Sequence, residues 1–178
     1  MVDTTVPYQI VIFTQDHSIS GGVFLHNQRL SDLLNDTRDS NMMLRNASVA
    51  RLDNPAKVLE KTQVTFIPKS GIVLAFEPPQ PVPQPSSPRY IKYPKERYDI
   101  FMIMDGMEAR GEIHMQGALD LLHVLANTVQ PFIPITRASV TIQVNPNFLL
   151  KHEAILVNNQ RIRFIGEVMQ KSSTMPFN

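Results

Sequence analysis

Short apolar runs and turn residues follow one another in the same order in two stretches of the chain. Each stretch begins with an apolar run, 8–13 or 98–104, rich in the β-branched, aromatic and long aliphatic side chains that suit pleated backbone. The dipeptide Asp105-Gly106 predicts a tight hairpin turn after the second run, and Gln15-Asp16 stands in its place after the first. Return strands are predicted over 18–25 and 107–115, each with an interior glycine, Gly21 or Gly111. A glycine inside a strand marks a bulge or a close approach of another backbone. Leucines at helical spacing then predict a short helix over 29–34 and again over 119–126. Asn35 and Asn127 end these helices, because asparagine tolerates the left-handed conformation that closes a helix. A third strand runs through Ala47-Ser48-Val49 and through 133–144, broken by Asn54-Pro55 or Asn145-Pro146. Two last runs in each stretch, 63–67 with 72–76 and 154–157 with 162–165, read as hairpins. Their turns are Lys69-Ser70-Gly71 and Asn158-Asn159-Gln160.

Residues 8–77 and 98–167 are equal in length, and identities fall in order when one is laid on the other. Tyr8 meets Tyr98, Ile10 meets Ile100 and Gly21 meets Gly111. A two-residue insertion brings Leu30, Leu33 and Asn35 onto Leu122, Leu125 and Asn127. Ala47-Ser48-Val49, Asn54-Pro55, Ile72 and Glu77 then meet Ala138-Ser139-Val140, Asn145-Pro146, Ile162 and Glu167. The expected architecture is a tandem duplication, mainly β with short helices. It comprises two five-stranded barrel-like or curled-sheet modules related by pseudo-twofold symmetry. The modules are placed at 1–77 and 98–167, with a connector at 78–97 and a tail at 168–178. Val11-Ile12-Phe13 and the run 101–104 are apolar on both strand faces, whereas a sheet with one face in water alternates. The second face is therefore expected against the other copy or, next, against further chains.

Charge separates the connector from the modules. Residues 1–77 carry seven basic and eight acidic side chains, 98–178 carry six and seven, and 78–97 carry four and one. The modules thus lack the basic balance of a nucleic-acid binder. The proline-rich part, 78–88, predicts an extended spacer, with a proline-recognising groove as its alternative partner. Arg89, Lys92, Lys95 and Arg97 follow it and are the candidate partner-binding residues. The chain has no cysteine, which excludes disulfides, thiolate metal sites and thiol nucleophiles. No signal-like start and no apolar run of membrane length is found, so a cytoplasmic protein is expected.

Catalytic patterns are missing. The histidines His17, His26, His114, His123 and His152 include no metal-ligand spacing, and those that flank strands in one stretch are not repeated in the other. Asp32 and Asp36 flank the first Leu-Leu-Asn but face Val124 and Thr128 in the second. No glycine-rich phosphate loop, nucleophile elbow or Ser-x-x-Lys occurs. No catalytic residue, cofactor or metal is expected.

Through Gly21, Arg29-Leu30-Ser31-Asp32-Leu33-Leu34-Asn35, Ala47-x-Val49 and the closing segment, the chain resembles an uncharacterised group of small bacterial proteins. These share a glycine, a Leu-Ser-Asp-x-Leu-Asn block, an Ala-x-Val strand and a final strand beginning with isoleucine. The resemblance covers both stretches, implies a bacterial origin and brings no reaction. Gly21, Asp32 and Asn35 are also similar to the first motif of Sm-like small barrels, which form RNA-binding rings. The second stretch lacks the acid, and neither closing segment carries that family's Arg-Gly. That resemblance implies a small barrel and nothing about RNA.

The expected function is a non-catalytic structural or protein-interaction module, a homo-oligomer or a subunit of a larger assembly. A nucleic-acid-binding small barrel is the second reading, with Lys92, Lys95, Arg97, Arg161 and Arg163 on phosphates. A small-molecule binder with a pocket between the copies is the third.

Overall fold

The computed structural model describes residues 7–26, 28–80 and 94–169. The protein is mainly β with two short helices. Its first half runs β1 (Tyr8–Phe13), β2 (His17–Val23), α1 (Leu30–Asn35), β3 (Asn41–Arg51), β4 (Asn54–Pro68), a 3₁₀ turn (Lys69–Gly71) and β5 (Leu74–Phe76). The second half runs β6 (Glu96–Met104), β7 (Met107–Met115), α2 (Leu121–Ala126), β8 (Phe132–Ile142), β9 (Asn145–Asn158), a 3₁₀ turn (Asn159–Arg161) and β10 (Ile162–Glu167). The connector expected over 78–97 gives up its last two residues to β6, which places Arg97 in a strand.

All ten strands join one antiparallel sheet in the order β10-β6-β7-β8-β9-β5-β1-β2-β3-β4. Two separate five-stranded sheets are therefore not what forms, because β5 hydrogen-bonds to β9 across the middle. Among the described residues the sheet does not close, and β4 and β10 are its free margins. The two halves follow each other in the same direction. A twofold pair would instead set like margins together or make the middle contact twice.

The last two strands of each half do not form the expected hairpins. β4 pairs with β3 alone, while β5 lies between β1 and β9. The 3₁₀ turn carries the chain across. Lys69 N donates to Ser40 O at its start, and Val73 N donates to Phe13 O at its end, 2.9 and 2.8 Å. The physical reason is burial. Residues 72–76 are all buried, and β4, exposed along most of its length, could not cover them. Asn54 and Asn145, expected in strand breaks, instead open the long strands β4 and β9.

Alternation in the middle strands feeds two cores at once. Ile10, Ile12 and Ala75 point into a core with Leu30, Leu34, Met42, Leu44 and Ile67. Phe13, Leu74 and Phe76 point the other way, into a core built largely from the second half, with Met102, Ile135, Val140 and Val157. In return the second half sends Phe132 into the first core and packs Leu156 against it. The unbroken apolar run of β1 is thus explained: each of its faces meets a different half.

Candidate functional site

Two kinds of sheet margin occur in this molecule, one joined and one free. The joined one is built by β5, β1 and α1 on one side and β9 and β8 on the other. Leu74 stands opposite Val157, and Ala75 opposite Leu156. Asn158 N donates to Val73 O at 3.0 Å, and its buried side-chain amide donates to Ile72 O at 3.0 Å. Asn35 Nδ2 donates to Phe132 O and its Oδ1 accepts from Phe132 N, 3.0 and 2.8 Å. One amide side chain therefore satisfies both backbone groups of a buried residue at the start of β8. Arg161 crosses the same seam, donating from Nε to Ser70 O at 2.7 Å and from Nη1 to Asp105 Oδ2 at 3.2 Å.

The free margins expose apolar side chains. On β4 these are Val58, Leu59, Val64 and Phe66, the last 68% exposed. At the opposite end Phe164 of β10 is 52% exposed, and α2 leaves Leu122 and Leu125 in solvent. Phe101 of β6 is half-buried, its ring 6.1 Å from that of Phe164, with the Arg110 guanidinium 4.7 Å from its centroid.

Each helix ends on the 3₁₀ turn of its own half. Lys69 Nζ donates to Leu33 O and Asp36 O, both at 2.7 Å. Asn159 Nδ2 donates to Val124 O and Asn127 O, at 3.0 and 2.7 Å. Both seal carbonyls that a helix end leaves unpaired. Burial pulls the Lys69 ammonium below its ordinary pKa, partly opposed by Asp36 and Asp39. Arg38, hydrogen-bonded to Asp36, holds that carboxyl well below the usual carboxylate range. Tyr8 donates to Glu77 Oε2 at 3.1 Å. Burial, then the Glu77 carboxylate, push its hydroxyl up to about 12.

Gly21 and Gly111 both lie where the ladder to the next strand slips by a residue. A Cβ on Gly111 would stand 2.6 Å from Ile135 Cγ2 and 2.8 Å from Thr136 O, and one on Gly21 3.2 Å from Ala47 Cα. Opposite these bulges Asn46 and Arg137 have positive φ, 49° and 47°, a conformation that asparagine tolerates and that the residue type of Arg137 did not announce. Asn35 and Asn127 do not close their helices in the left-handed conformation. Asp36 and Asn127 are the C-caps, both extended, and Asn35 serves the seam instead.

Of the basic group, Arg89 and Lys92 lie outside the described residues. Lys95 and Arg97 are exposed, the latter opposite His114. Arg161 and Arg163, candidates for phosphate contact, are both held by Asp105, Arg163 Nε at 2.7 Å from Oδ1. A cavity of about 330 Å³ is lined by Asp99, Arg110, Gly111, Glu112 and Arg137 among others. It belongs to the second half alone, not to the space between the halves. Arg137 pairs with Glu112 Oε1 at 3.2 Å, and the buried Oε2 has His114 Nε2 at 4.0 Å and no hydrogen-bond partner among the described residues. Among the described residues no three His, Asp or Glu side chains gather as a metal site, and no helix is long and apolar enough to cross a membrane.

The chain matches no family model, no curated protein and no solved structure.

Proposed function

We propose that this protein is a non-catalytic structural or interaction module that works as a homo-oligomer or as a subunit of a larger assembly. One observation carries the reading: the sheet ends in two unpaired margins lined with exposed Phe66 and Phe164. An unpaired margin offers a row of backbone donors and acceptors for another strand. Apolar side chains beside such a row are what a partner would cover.

We further propose that the two halves are tandem copies of one small-barrel-like module. The same succession of elements in both halves supports this. So does the pairing around β1 and β6, where Ile10↔Gly21 and Phe13↔Leu74 recur as Ile100↔Gly111 and Ile103↔Phe164. The 3₁₀ turns link the outermost strands of each half over a few residues, which favours curling of each five-strand segment.

The test is the mass in solution, by light scattering across a wide range of concentrations, for the protein and for Phe66→Glu. A mass above one chain, lowered by the substitution, is expected. A strict one-chain mass at every concentration, with no protein retained from native lysate, would sink the proposal.

A further inference from the structure

The two free margins correspond, residue for residue, to the two sides of the joined one. Around β5 the register is Val11↔Phe76, Ile12↔Ala75 and Phe13↔Leu74, and around β10 it is Phe101↔Gly166, Met102↔Ile165 and Ile103↔Phe164. On the other side, Phe132↔Asn158 and Ile133↔Val157 correspond to Asn41↔Pro68 and Met42↔Ile67. β10 therefore offers the edge that β5 gives to β9, and β4 offers the edge that β9 gives to β5. The side chains agree. Leu74, Phe13 and Leu34 are buried at or beside the seam, whereas Phe164 is exposed, Ile103 half-buried and Leu125 42% exposed. Leu156 packs against the first core, whereas its counterpart Phe66 stands in solvent.

We infer that copies of this chain associate head to tail, β10 of one copy adding antiparallel to β4 of the next, with Phe164 opposite Ile67 and Ile165 opposite Phe66. The inference rests on the interaction reading above and names its partner as a second copy. A second copy is the occupant because the chain already shows which edge each margin accepts, and every copy carries both. Such a contact is heterologous, so it repeats from copy to copy until a ring closes or a filament grows. Phe66 would lie over the second-half core of the preceding copy, as Leu156 lies over the first-half core within the chain. The polar ties are fewer between copies. Pro68 has no N–H where Asn158 N bonds Val73 O. Lys69 holds Leu33 O and Asp36 O in the same way as Asn159 holds Val124 O and Asn127 O. Leu34 and Asn35 therefore fall on Leu125 and Ala126, one residue off the match that the sequence predicts, and α2 ends on Ala126 where α1 ends on Asn35. The contact between copies is accordingly the weaker one, and assembly depends on concentration.

The absence of cysteine makes the register testable. Residues directly opposite in an antiparallel pair have Cα atoms about 4.5–5.5 Å apart, within disulfide reach. Phe66→Cys and Ile165→Cys proteins, each verified as folded by circular dichroism under reduction, are oxidised singly and as an equal mixture. The mixture is expected to give a covalent dimer at least ten times more abundantly than either protein alone. The double variant in one chain is expected to give a ladder, or one closed band, at integral multiples of the chain mass. If the unsubstituted protein assembles but the mixture links no better than the single proteins, the head-to-tail register is wrong while the interaction reading stands. If it neither assembles nor retains a partner, both fall.

Discussion

The joined margin and the free margins share their backbone pairing pattern but not their side chains. At the seam, Phe132 is buried, Asn158 reaches the backbone of Lys69, Ile72, Val73 and Gln160, and Asn35 holds both backbone groups of Phe132. At the corresponding free positions stand Asn41, Pro68 and Ala126, all exposed. The difference teaches what makes a strand pairing permanent. The ladder itself is available at every margin. Burial of a large side chain and amides that tie off backbone groups decide which pairing does not come apart. Proline on β4 fits a margin that must not pair indiscriminately.

Substitutions can break that contrast, beginning with the largest expected effect. Phe132→Ala empties a site in the first-half core and should destabilise by about 3–5 kcal/mol, as buried aromatic truncations do. Asn41→Ala, at the free counterpart, should change stability by less than about 0.5 kcal/mol. Urea unfolding of both proteins decides this, and equal effects would mean the margins do not differ as described. Next, Asn35→Ala leaves the N–H and C=O of buried Phe132 without their partner and should cost about 1–3 kcal/mol. Ala126→Asn, which only offers a new amide at a free margin, should leave the unfolding midpoint of the single chain almost unmoved.

A gain is expected where the free margin is made to resemble the joined one. Pro68→Asn restores a backbone N–H and a side-chain amide to β4. It should strengthen association between copies by about 0.5–1.5 kcal/mol, the usual worth of a hydrogen bond. Sedimentation velocity across a dilution series would record this as assembly persisting at lower concentration. The smallest effect depends on pH. Tyr8 is held protonated in the fold, its pKa raised from 10.0 to about 12. Its contribution is complete below pH 10 and is lost as pH rises towards 12, because the unfolded chain releases that proton first. Tyr8→Phe should remove this part of the alkaline fall in stability. Unfolding midpoints at pH 9 and pH 11.5 for the two proteins check it. An identical alkaline fall in both would discard the effect.

The local signals were legible. Apolar runs located β1, β2, β5, β6, β7, β8 and β10 but only part of β3, and only part of β4 and β9, whose remaining lengths are largely polar. Asp105-Gly106 marked a turn where Gly106 has φ 73°, and leucine spacing placed α1 and α2 within a few residues. Gly21 and Gly111 stood out because a strand interior rarely spends a residue without a side chain. The seam was not legible. Nothing about Asn35 alone distinguishes a helix end from a ligand for the backbone of Phe132, which lies 97 residues away. The left-handed closure expected of Asn35 and Asn127 fails because Lys69 and Asn159 already supply the helix-end carbonyls with donors. Those two residues read as ordinary turn positions, and only their burial reveals the task.

What the chain determined by itself is therefore the apolar elements and the faces that must be dry, since those depend on residue type and on spacing within a few positions. The polar lengths of β4 and β9 were not among them. Which strand lies beside which was decided only in the tertiary structure. The apolar segment 72–76 read equally well as the second arm of a hairpin with β4. Burial of all five side chains chose β1 and β9 as its neighbours instead. Competition between distant surfaces for the same apolar residues has no local trace, because its energy belongs to pairs of segments and not to either one.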